Sequence, residues 1–426
     1  MAKFIIQGNK SLSGTIKISG SKNAATPIIA ATLLTDQICV INNLPWIKDV
    51  EKMLDILKSL GSEIQIESDK NSLGKRVKIC NKNVHPVSLD KVAVKSMRSS
   101  ILFLGPLLAR FGQVSLPEPG GCLVGNRPLD IHFYTLTALG AKVSYKKEEY
   151  HFKAKKLKGN IVLPEFSVTA TENLLMAACL AEGQTIIKTA ACEPHVQDLC
   201  CFLEKLGAKI KGLGTHTLII TPIKKNFIPQ APINHVLIPD QIEAGTFAVL
   251  GTVTRSQIRI ENIIPEHLEI ILLKFRKIGV NFEIGDDYLI TKSTINLKAF
   301  HLQTLPWPGF PTDLQAPFGL LATQCRGTSL IHETIFESRF GYINELIKMG
   351  AKALILNPHQ VSITGPRPLY GQEIKSYDLR AGATLIIAGL LAQGQTIINE
   401  AEIIDRGYER IEEKLRNLGA EIKREE

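Results

Sequence analysis

A cysteine in a glycine-rich stretch is the first candidate for chemistry in this 426-residue chain. Residues 120–127, GGCLVGNR, place Cys122 among three glycines and five residues before Arg127. So many glycines disfavour both a helix and a central strand, and we therefore predict a mobile loop. A permanent cation nearby favours the thiolate, and such a loop can close over a ligand. Because most cysteines are inert, a simple turn is the alternative interpretation of this stretch taken alone.

Basic side chains form a second candidate group, because several stand at the start of predicted apolar helices. The dipole of a helix repels cations at its N-terminus and attracts anions there, so a bound anion would offset the local cost. The alternative at these positions is helix capping, which we favour for Ser167, Thr312 and Asp378. The pattern predicts a shared site for phosphate and carboxylate groups. Its six cations are Lys22, Arg98, Arg127, Arg339, Arg380 and Arg406.

A repeated sequence pattern indicates which helices and strands position these groups. An amphipathic helix that ends in a large apolar residue and glycine, followed by an alternating strand, recurs at intervals of 67–79 residues. Each repeat also contains a helix that is apolar on nearly all sides, which we expect to be buried. The sequence thus predicts six α/β repeats of about 70 residues. The glycines that end the amphipathic helices are Gly61, Gly140, Gly207, Gly279, Gly350 and Gly419.

A five-residue segment that occurs twice groups the six repeats into two domains. The segment GQTII at residues 183–187 returns at residues 394–398, which is 211 residues or three repeats later. We therefore predict a first domain over residues 22–238 and a second over residues 1–21 plus 239–426, with a hinge near Pro239. The N-terminal strand around Ile5 is expected to complete the sixth repeat. Two globular lobes with a cleft between them can enclose a ligand.

Composition excludes several classes of protein. The hydrophobic share of 45% and the charged share of 21% are those of a soluble globular protein. The net charge of +9 comes from scattered lysines without interleaved aromatics, so we expect no nucleic-acid partner. The chain shows neither a membrane-spanning run nor a signal peptide, which predicts a cytoplasmic protein. Seven of the eight cysteines have apolar neighbours, which favours buried, reduced thiols over disulfides or zinc.

Five motifs together resemble one known family, the UDP-N-acetylglucosamine 1-carboxyvinyltransferases. The resemblance covers essentially the whole chain. The combination of the cysteine loop with the last arginine motif is highly specific. The motifs are SKNAA at residues 21–25, GGCLVGNRPLDIH at 120–132, FPTD at 310–313, DLR at 378–380 and DRGYER at 405–410.

The resemblance implies an α/β fold, an inside-out barrel of two domains with three repeats each. It implies transfer of enolpyruvate from phosphoenolpyruvate to the 3′-hydroxyl of UDP-N-acetylglucosamine with release of phosphate. This reaction opens peptidoglycan synthesis, and hence cell-wall biogenesis, cell shape and division. Neither a cofactor nor a metal is expected, and the partners are the two small-molecule substrates, with no membrane and no nucleic acid. We expect a monomer and a target of fosfomycin.

The resemblance also implies roles for individual residues. Cys122 matches a general acid that helps to protonate the methylene carbon, and Asp313 matches the carboxylate that takes the 3′-hydroxyl proton. Lys22 and Arg406 complete the expected catalytic set. Phosphoenolpyruvate is expected to contact Lys22, Arg98, Cys122, Arg127, Arg339, Arg380 and Arg406. The nucleotide sugar is expected to contact Asn23, Arg98, Arg127, Pro128, Leu129, Asp130, His132, Ser167, Val168, Thr169, Asp313 and Ile335.

A few residues depart from the family pattern. Thr169 stands where the family usually has glycine, and Glu118 and Pro119 lengthen the entry to the cysteine loop. These departures suggest an alternative, a regulatory or weakly active paralogue that binds UDP-sugar. A second rival is the related 5-enolpyruvylshikimate-3-phosphate synthase. The cysteine loop argues against it, as does the sequence around Lys22, where that enzyme would carry Asp-Lys-Ser.

Overall fold

The computed structural model of the chain describes residues 2–67, 74–85, 89, 91–117, 120, 129–224, 227 and 231–426. These residues form two compact units. We call residues 20–238 the N-domain, and residues 2–19 together with 239–426 the C-domain. Cys122, Arg127 and Pro128 lie outside the described residues, as do Glu118 and Pro119.

Helices and strands alternate along both units. In the described ranges the α-helices are α1 (Lys22–Ala31), α2 (Lys48–Ser59), α3 (Lys91–Lys95), α4 (Leu104–Phe111), α5 (Asp130–Ala138), α6 (Val168–Ala178), α7 (Pro194–Lys205), α8 (Gln241–Val253), α9 (Glu269–Ile278), α10 (Gln315–Ala322), α11 (Gly341–Lys348), α12 (Leu379–Leu391) and α13 (Ile411–Asn417). Short 3₁₀ helices span Thr32–Leu34, Arg98–Phe103, Pro265–Leu268, Thr312–Leu314 and Ala401–Arg406.

The strands are short. In the described ranges they are β1 (Lys3–Gln7), β2 (Ser13–Lys17), β3 (Cys39–Leu44), β4 (Glu63–Glu67), β5 (Lys75–Cys80), β6 (Gln113–Pro117), β7 (Lys142–Lys146), β8 (Glu149–Lys153), β9 (Asn160–Val162), β10 (Thr185–Lys188), β11 (Lys209–Lys211), β12 (Thr217–Thr221), β13 (Ile233–Val236), β14 (Gln257–Glu261), β15 (Phe282–Ile284), β16 (Tyr288–Thr291), β17 (His301–Gln303), β18 (Gly327–His332), β19 (Lys352–Asn357), β20 (Gln360–Gly365), β21 (Glu373–Lys375), β22 (Gln395–Asn399) and β23 (Glu421–Glu425).

In the described ranges, each unit contains three small sheets. Those of the N-domain have the strand orders β13-β3-β5-β4, β6-β8-β7 and β11-β12-β10-β9. Those of the C-domain have the orders β15-β16-β14-β2, β17-β18-β20-β19 and β21-β22-β1-β23. In the last sheet β1 runs antiparallel to both neighbours, with Ile5 opposite Ile397 on β22 and Lys423 on β23. The first strand of the chain therefore belongs to the same sheet as the last.

The apolar helices form the centres of the two cores. In α12, every residue from Arg380 to Leu390 is buried, which confirms the prediction of a central helix there. By contrast, α13 buries only Ile411 and Leu415 and covers the outside of its unit. Burying one such Leu or Ile side chain stabilises the fold by about 1.5–3 kcal/mol, so each buried Leu and Ile of α12 adds to the stability of the core.

The glycines that end the amphipathic helices adopt the backbone conformation that the repeat requires. All six have φ between +90° and +110°, which other residues adopt only with strain. The two glycines of the GQTII segments also match, since φ is +87° at Gly183 and +88° at Gly394. The prediction of a repeated α/β architecture is confirmed by the mixed helices and sheets of the two units.

The cysteines of the described residues are free thiols. Burial raises the pKa of Cys39 to about 12, and that of Cys325 to about 12, so these thiols stay protonated at neutral pH. Burial and the charge of Glu193 raise the pKa of Cys192 to about 11. The expectation of a buried side chain is wrong for Cys201, which lies on the solvent-facing side of α7.

Candidate functional site

A carboxylate clamped by two arginines is the most developed polar feature of the C-domain. Arg339 Nη2 donates to Asp313 Oδ1 at 2.7 Å, and Arg380 Nε donates to Asp313 Oδ2 at 3.3 Å. Asp313 remains 25% exposed, whereas the side chains of Arg339 and Arg380 are only 8% and 3% exposed. The structure therefore brings together three residues that the sequence placed far apart, with the carboxylate as the accessible member.

Local elements fix both arginines. Arg380 is the second residue of α12, whose N-cap Asp378 accepts hydrogen bonds from the backbone N–H groups of Arg380 and Ala381 at 2.8 and 2.9 Å. The Arg380 guanidinium carbon lies 5.3 Å from the centroid of the Tyr408 ring. Arg339 lies just before α11, and its guanidinium carbon is 5.3 Å from the ring centroid of Phe336. Both contacts hold a planar cation against an aromatic ring.

The charge of Arg380 is secured by its surroundings. Burial lowers the pKa of Arg380, but Tyr408, Asp313 and Asp240 together raise it above the ordinary value for arginine. Asp240 Oδ2 lies 3.9 Å from Arg380 Nη2. Within the described part of the chain, Arg380 Nη1 and Nη2 are buried and have no hydrogen-bond partner. A charged guanidinium with unused donors favours an anionic ligand.

Thr312 does not cap a helix, contrary to our expectation. It is the first residue of the Thr312–Leu314 3₁₀ helix, and its hydroxyl donates to Glu333 Oε2 at 2.7 Å instead. Arg339 Nη1 donates to the same hydroxyl oxygen at 2.6 Å. The cap position is taken by Pro311, and the Thr312 hydroxyl is used fully by Glu333, to which it donates, and by Arg339, from which it accepts. Capping is confirmed for Ser167 and Asp378.

The segment around Arg406 is anchored from both sides. Arg406 ends the Ala401–Arg406 3₁₀ helix and is partly buried. Its neighbour Asp405 accepts two hydrogen bonds from Arg424, at 2.8 and 2.9 Å. On the other side, a Cβ at Gly407 would come within 2.4 Å of Leu379 Cδ1. The position of Arg406 is thus set by a bidentate ion pair and by a close approach that requires glycine.

Lys22 is the corresponding anchored cation of the N-domain. It is the first residue of α1, which is capped by Ser21. Lys22 Nζ lies 3.0 Å from Asp49 Oδ2, with exposed fractions of 13% for the lysine side chain and 2% for the aspartate. Asp49 belongs to the first turn of α2, where acidic residues are common, and the sequence alone did not single it out. Asn23 follows Lys22 in α1 and is partly buried.

The entry to the cysteine loop approaches the segment before Arg98. Arg98 begins the Arg98–Phe103 3₁₀ helix and is partly buried. Gly120 N donates to Val94 O at 3.3 Å, and a Cβ at Gly120 would lie 1.8 Å from Lys95 O. Only glycine fits there, so the backbone just before Cys122 is fixed near that of Arg98. The prediction that the loop is mobile concerns residues beyond those described.

His132 and Thr169 form a hydrogen-bonded pair in the N-domain. The side-chain amide of Asn173 accepts from Gly105 N at 2.7 Å and donates to Ile101 O at 3.0 Å, which fixes its orientation. The Asn173 Nδ2 group also lies 3.2 Å from His132 Nδ1, which must therefore accept. His132 Nε2 then carries the proton and donates to Thr169 Oγ1 at 3.1 Å. Thr169 thus has a defined role in holding the imidazole.

The remaining expected sugar contacts lie at the ends of elements. Leu129 is the N-cap residue of α5 and is buried, while Asp130 begins that helix and is exposed. Val168 begins α6 and is partly buried. Ile335 is 39% exposed in the C-domain, and its backbone N–H donates to Glu333 Oε1 at 2.9 Å. Asp130, Val168 and Ile335 are therefore at least partly exposed, whereas Leu129 is buried.

The described residues contain neither a metal-binding cluster nor a membrane-spanning helix. No group of three or more His, Cys, Asp or Glu side chains in the described ranges is arranged to hold a metal ion. Within the same ranges, none of the helices has the length and apolar character that crossing a membrane requires.

Comparison with known proteins identifies the class to which this architecture belongs. The chain matches the fold of the enolpyruvyl transferase NikO from Streptomyces tendae with a TM-score of 0.89 and 23% identity, over 99% of this chain and 98% of that one. The family model for EPSP synthase (3-phosphoshikimate 1-carboxyvinyltransferase) matches residues 6–415.

Sequence relatives refine this assignment. UDP-N-acetylglucosamine 1-carboxyvinyltransferase 1 of Carboxydothermus hydrogenoformans is 44% identical, over 100% of this chain and 98% of the relative. UDP-N-acetylglucosamine 1-carboxyvinyltransferase 2 of Clostridium tetani is also 44% identical, over the full length of both chains. The chain therefore belongs to the EPSP synthase family and, within it, to the UDP-N-acetylglucosamine 1-carboxyvinyltransferases.

Proposed function

We propose that this protein transfers the enolpyruvyl group of phosphoenolpyruvate to the 3′-hydroxyl of UDP-N-acetylglucosamine and releases inorganic phosphate. The proposal joins membership of the family to the chemistry of the described side chains. In the reaction a proton enters at the methylene carbon and the sugar oxygen bonds to the adjacent carbon. Loss of phosphate and of one methyl proton then restores the double bond. The product enters peptidoglycan synthesis.

The observation that carries the proposal is the buried Arg380. Its guanidinium is 3% exposed, charged, and has two terminal nitrogens without a hydrogen-bond partner among the described residues. A buried guanidinium is stabilised when a carboxylate or phosphate accepts its remaining N–H groups. Phosphoenolpyruvate carries both kinds of anion. We propose that Arg339, Arg380 and Arg406 bind it from the C-domain.

Asp313 is the proposed base. Arg339 and Arg380 donate to its two oxygens, and a carboxylate is the form of an aspartate side chain that can accept a proton. Its partial exposure leaves room for a hydroxyl to reach it. Taking the proton of the 3′-hydroxyl as the new carbon–oxygen bond forms is general-base catalysis, which typically contributes about 10²–10⁴ in rate.

The N-domain supplies the proposed acid and further cations. Lys22 is held by Asp49, and the Gly120 backbone lies against Lys95 and Met97, just before Arg98. We propose that Lys22 and Arg98 bind phosphoenolpyruvate together with Arg127, and that Cys122 delivers the proton to the methylene carbon. Cations around the phosphate stabilise the charge that develops as it leaves.

We propose that the nucleotide sugar contacts residues at helix starts and in nearby loops. Thr169, in place of the usual glycine, adds a hydroxyl that is held by His132. The proposed contacts in the N-domain are Asn23, Arg98, Arg127, Pro128, Leu129, Asp130, His132, Ser167, Val168 and Thr169. Those in the C-domain are Asp313 and Ile335.

We further propose that the protein works in the cytoplasm as a monomer, with its two small-molecule substrates as partners. The free cysteines of the described residues fit a reducing compartment. The reaction as written transfers no electrons, so it needs no redox cofactor. The alternative of a weakly active, regulatory paralogue rests on Thr169 and on the lengthened loop entry. The clamp around Asp313 is formed by other residues, Arg339 and Arg380.

Phosphate release from phosphoenolpyruvate, measured with and without UDP-N-acetylglucosamine, tests the proposal. We expect release to depend on the sugar, and we expect a product with the mass of enolpyruvyl-UDP-N-acetylglucosamine. Well-folded protein that releases no phosphate in the presence of the sugar would contradict the proposal. Fosfomycin should label Cys122, and labelling that persists in Cys122→Ala would assign the reactive thiol elsewhere.

A further inference from the structure

Glu333 is a fully buried acidic residue directly after β18. Its Oε1 accepts hydrogen bonds from Thr304 Oγ1 at 2.9 Å, Ile335 N at 2.9 Å and Phe336 N at 3.3 Å. Its Oε2 accepts from Thr312 Oγ1 at 2.7 Å. A carboxylate is costly to bury unless its oxygens are hydrogen-bonded, and these four donors meet that need.

A chain of hydrogen bonds links Glu333 to Asp313 through Thr312 and Arg339, and Arg339 donates to both sides. A carboxylate only accepts, so the Thr312 hydroxyl proton points to Glu333 and the oxygen lone pairs face Arg339. Arg339 Nη1 donates to that oxygen at 2.6 Å, and its Nη2 donates to Asp313 Oδ1 at 2.7 Å. Burial lowers the pKa of Arg339, but Asp313, Asp378 and Glu333 together raise it, so the guanidinium stays charged. Three hydrogen bonds therefore connect the two carboxylates.

The other oxygen of Glu333 contributes to the position of an aromatic ring that lies over Arg339. It accepts from the backbone of Ile335 and Phe336, and so fixes the turn that carries the Phe336 ring. That ring lies 5.3 Å from the guanidinium carbon of Arg339. Glu333 thus determines both the hydrogen-bonded edge and the stacked face of Arg339.

We propose that Glu333 is a positioning residue that orients Asp313 through Thr312 and Arg339. It acts without touching substrate, since its four partners are all protein groups and its side chain is buried. The inference rests on the proposed function, because it takes Asp313 to be the base. It predicts that Glu333 affects the rate of the bound complex more than the affinity for the nucleotide sugar.

Glu333→Gln distinguishes the hydrogen bonds made by the two carboxylate oxygens. The amide keeps one oxygen for the three donors at Oε1, while the amide NH₂ cannot accept the Thr312 hydroxyl. Thr312→Val removes the same link from its other end, and Thr312→Ser retains it. Glu373→Gln is the matched control, because Glu373 is an exposed carboxylate on β21 of the same unit that accepts from Asn399.

We expect kcat to fall about 10- to 100-fold in Glu333→Gln and in Thr312→Val, as part of the general-base contribution is lost. The KM for UDP-N-acetylglucosamine should stay within about twofold, because only transition-state interactions are weakened. Thr312→Ser and Glu373→Gln should resemble the wild type. The double variant should be no slower than the slower single variant, because both substitutions break one link.

The wild type is assayed first, so that its inactivity counts against the proposed function rather than against this inference. With active wild type, an unchanged kcat in Glu333→Gln would overturn the inference, as would losses that multiply in the double variant. A raised KM for the sugar with unchanged kcat would also overturn it. If Glu333→Gln does not fold, Thr312→Val decides by the same criteria. Independently of turnover, a crystal structure of the variant should show Arg339 displaced from Asp313, and a retained contact would contradict the proposal.

Discussion

Lys22 in the N-domain and Asp313 in the C-domain are held by opposite arrangements of charge. In the N-domain a carboxylate that is 2% exposed holds a lysine that is 13% exposed. In the C-domain two arginines that are 8% and 3% exposed hold a carboxylate that is 25% exposed. In each case the more deeply buried partner fixes the more accessible one. The accessible member carries the role that we propose for each arrangement, which is to bind an anion at Lys22 and to take a proton at Asp313.

In both arrangements, a carboxylate that solvent barely reaches supports the more accessible group. Asp49 and Glu333 are the buried carboxylates behind the two arrangements, and both are nearly or fully inaccessible. Removing Asp49 takes a carboxylate away from Lys22, and removing Glu333 leaves four donors without their buried acceptor, which is costly where water cannot replace the lost group. The predictions below break the two arrangements one at a time.

The largest effect is expected for Asp313→Ala. Without the carboxylate no group takes the 3′-hydroxyl proton, so kcat should fall about 10²–10⁴-fold. Steady-state kinetics at saturating concentrations of both substrates measures this. Near-normal turnover would remove Asp313 from the role of base. Asp286→Ala provides a control on the same unit, because Asp286 is an exposed residue of the turn between β15 and β16.

A smaller effect is expected for Asp49→Asn. The amide keeps the size of the side chain but lacks the charge that fixes Lys22, so the KM for phosphoenolpyruvate should rise about tenfold, as for loss of a charged hydrogen bond. The KM for the nucleotide sugar should change little. Equal increases in both KM values would show that the substitution disturbs the domain rather than Lys22. Thermal unfolding of the same sample reports on that possibility.

Glu172 extends the comparison to a buried carboxylate without a cation. Burial and the charge of Glu193 raise the pKa of Glu172 well above its ordinary value, and its Oε1 has no hydrogen-bond partner among the described residues. The folded state therefore binds more protons than the unfolded state once the pH exceeds the unfolded pKa, and stability falls as pH rises from there. Glu172→Gln should remove this slope and raise Tm at pH 8 by a few degrees relative to wild type.

Thermal scans of wild type and Glu172→Gln between pH 5 and pH 8 test the sign. The difference in Tm between the two proteins should widen as pH rises. A difference that is constant or that narrows would contradict the raised pKa. Glu182→Gln, at an exposed residue, is the matched control.

The smallest effect is expected for Thr169→Gly, which restores the residue that is usual in the family. Loss of the hydroxyl removes one partner of His132 Nε2, so the KM for UDP-N-acetylglucosamine should change by about two- to fivefold, the worth of one neutral hydrogen bond. Thr169→Ser keeps the hydroxyl and should behave like wild type. A large loss of kcat in Thr169→Gly would assign Thr169 a part in the chemistry.

The repeats could be predicted because their signals are local. A glycine after a large apolar residue ends a helix by its own backbone preference, and each of the six has positive φ. The central helices could be predicted because they are apolar on nearly all sides, as α12 shows. Lys22 and Arg380 could be singled out as candidates because a positive charge at a helix start conflicts with the dipole.

The buried partners could not be predicted, because their contacts join distant parts of the chain. Thr312 has the features of a cap in sequence, but Glu333, 21 residues later, accepts its hydroxyl in the folded chain. Asp49 resembles an ordinary acidic residue in the first turn of a helix until α1 and α2 pack together. Neighbouring residues do not encode such pairings, which depend on the packing of whole elements.

Two measurements test the comparison most directly. The first is the affinity of Lys22→Gln and Asp313→Asn for phosphoenolpyruvate, measured by calorimetry. The second is the single-turnover rate of Asp313→Asn. Lys22→Gln should weaken phosphoenolpyruvate binding by at least about tenfold, the worth of a charged hydrogen bond. Asp313→Asn should bind it within about twofold of wild type and react about 10²-fold more slowly. If Asp313→Asn instead loses affinity as Lys22→Gln does, or reacts at the wild-type rate, the division of roles between the two arrangements is wrong.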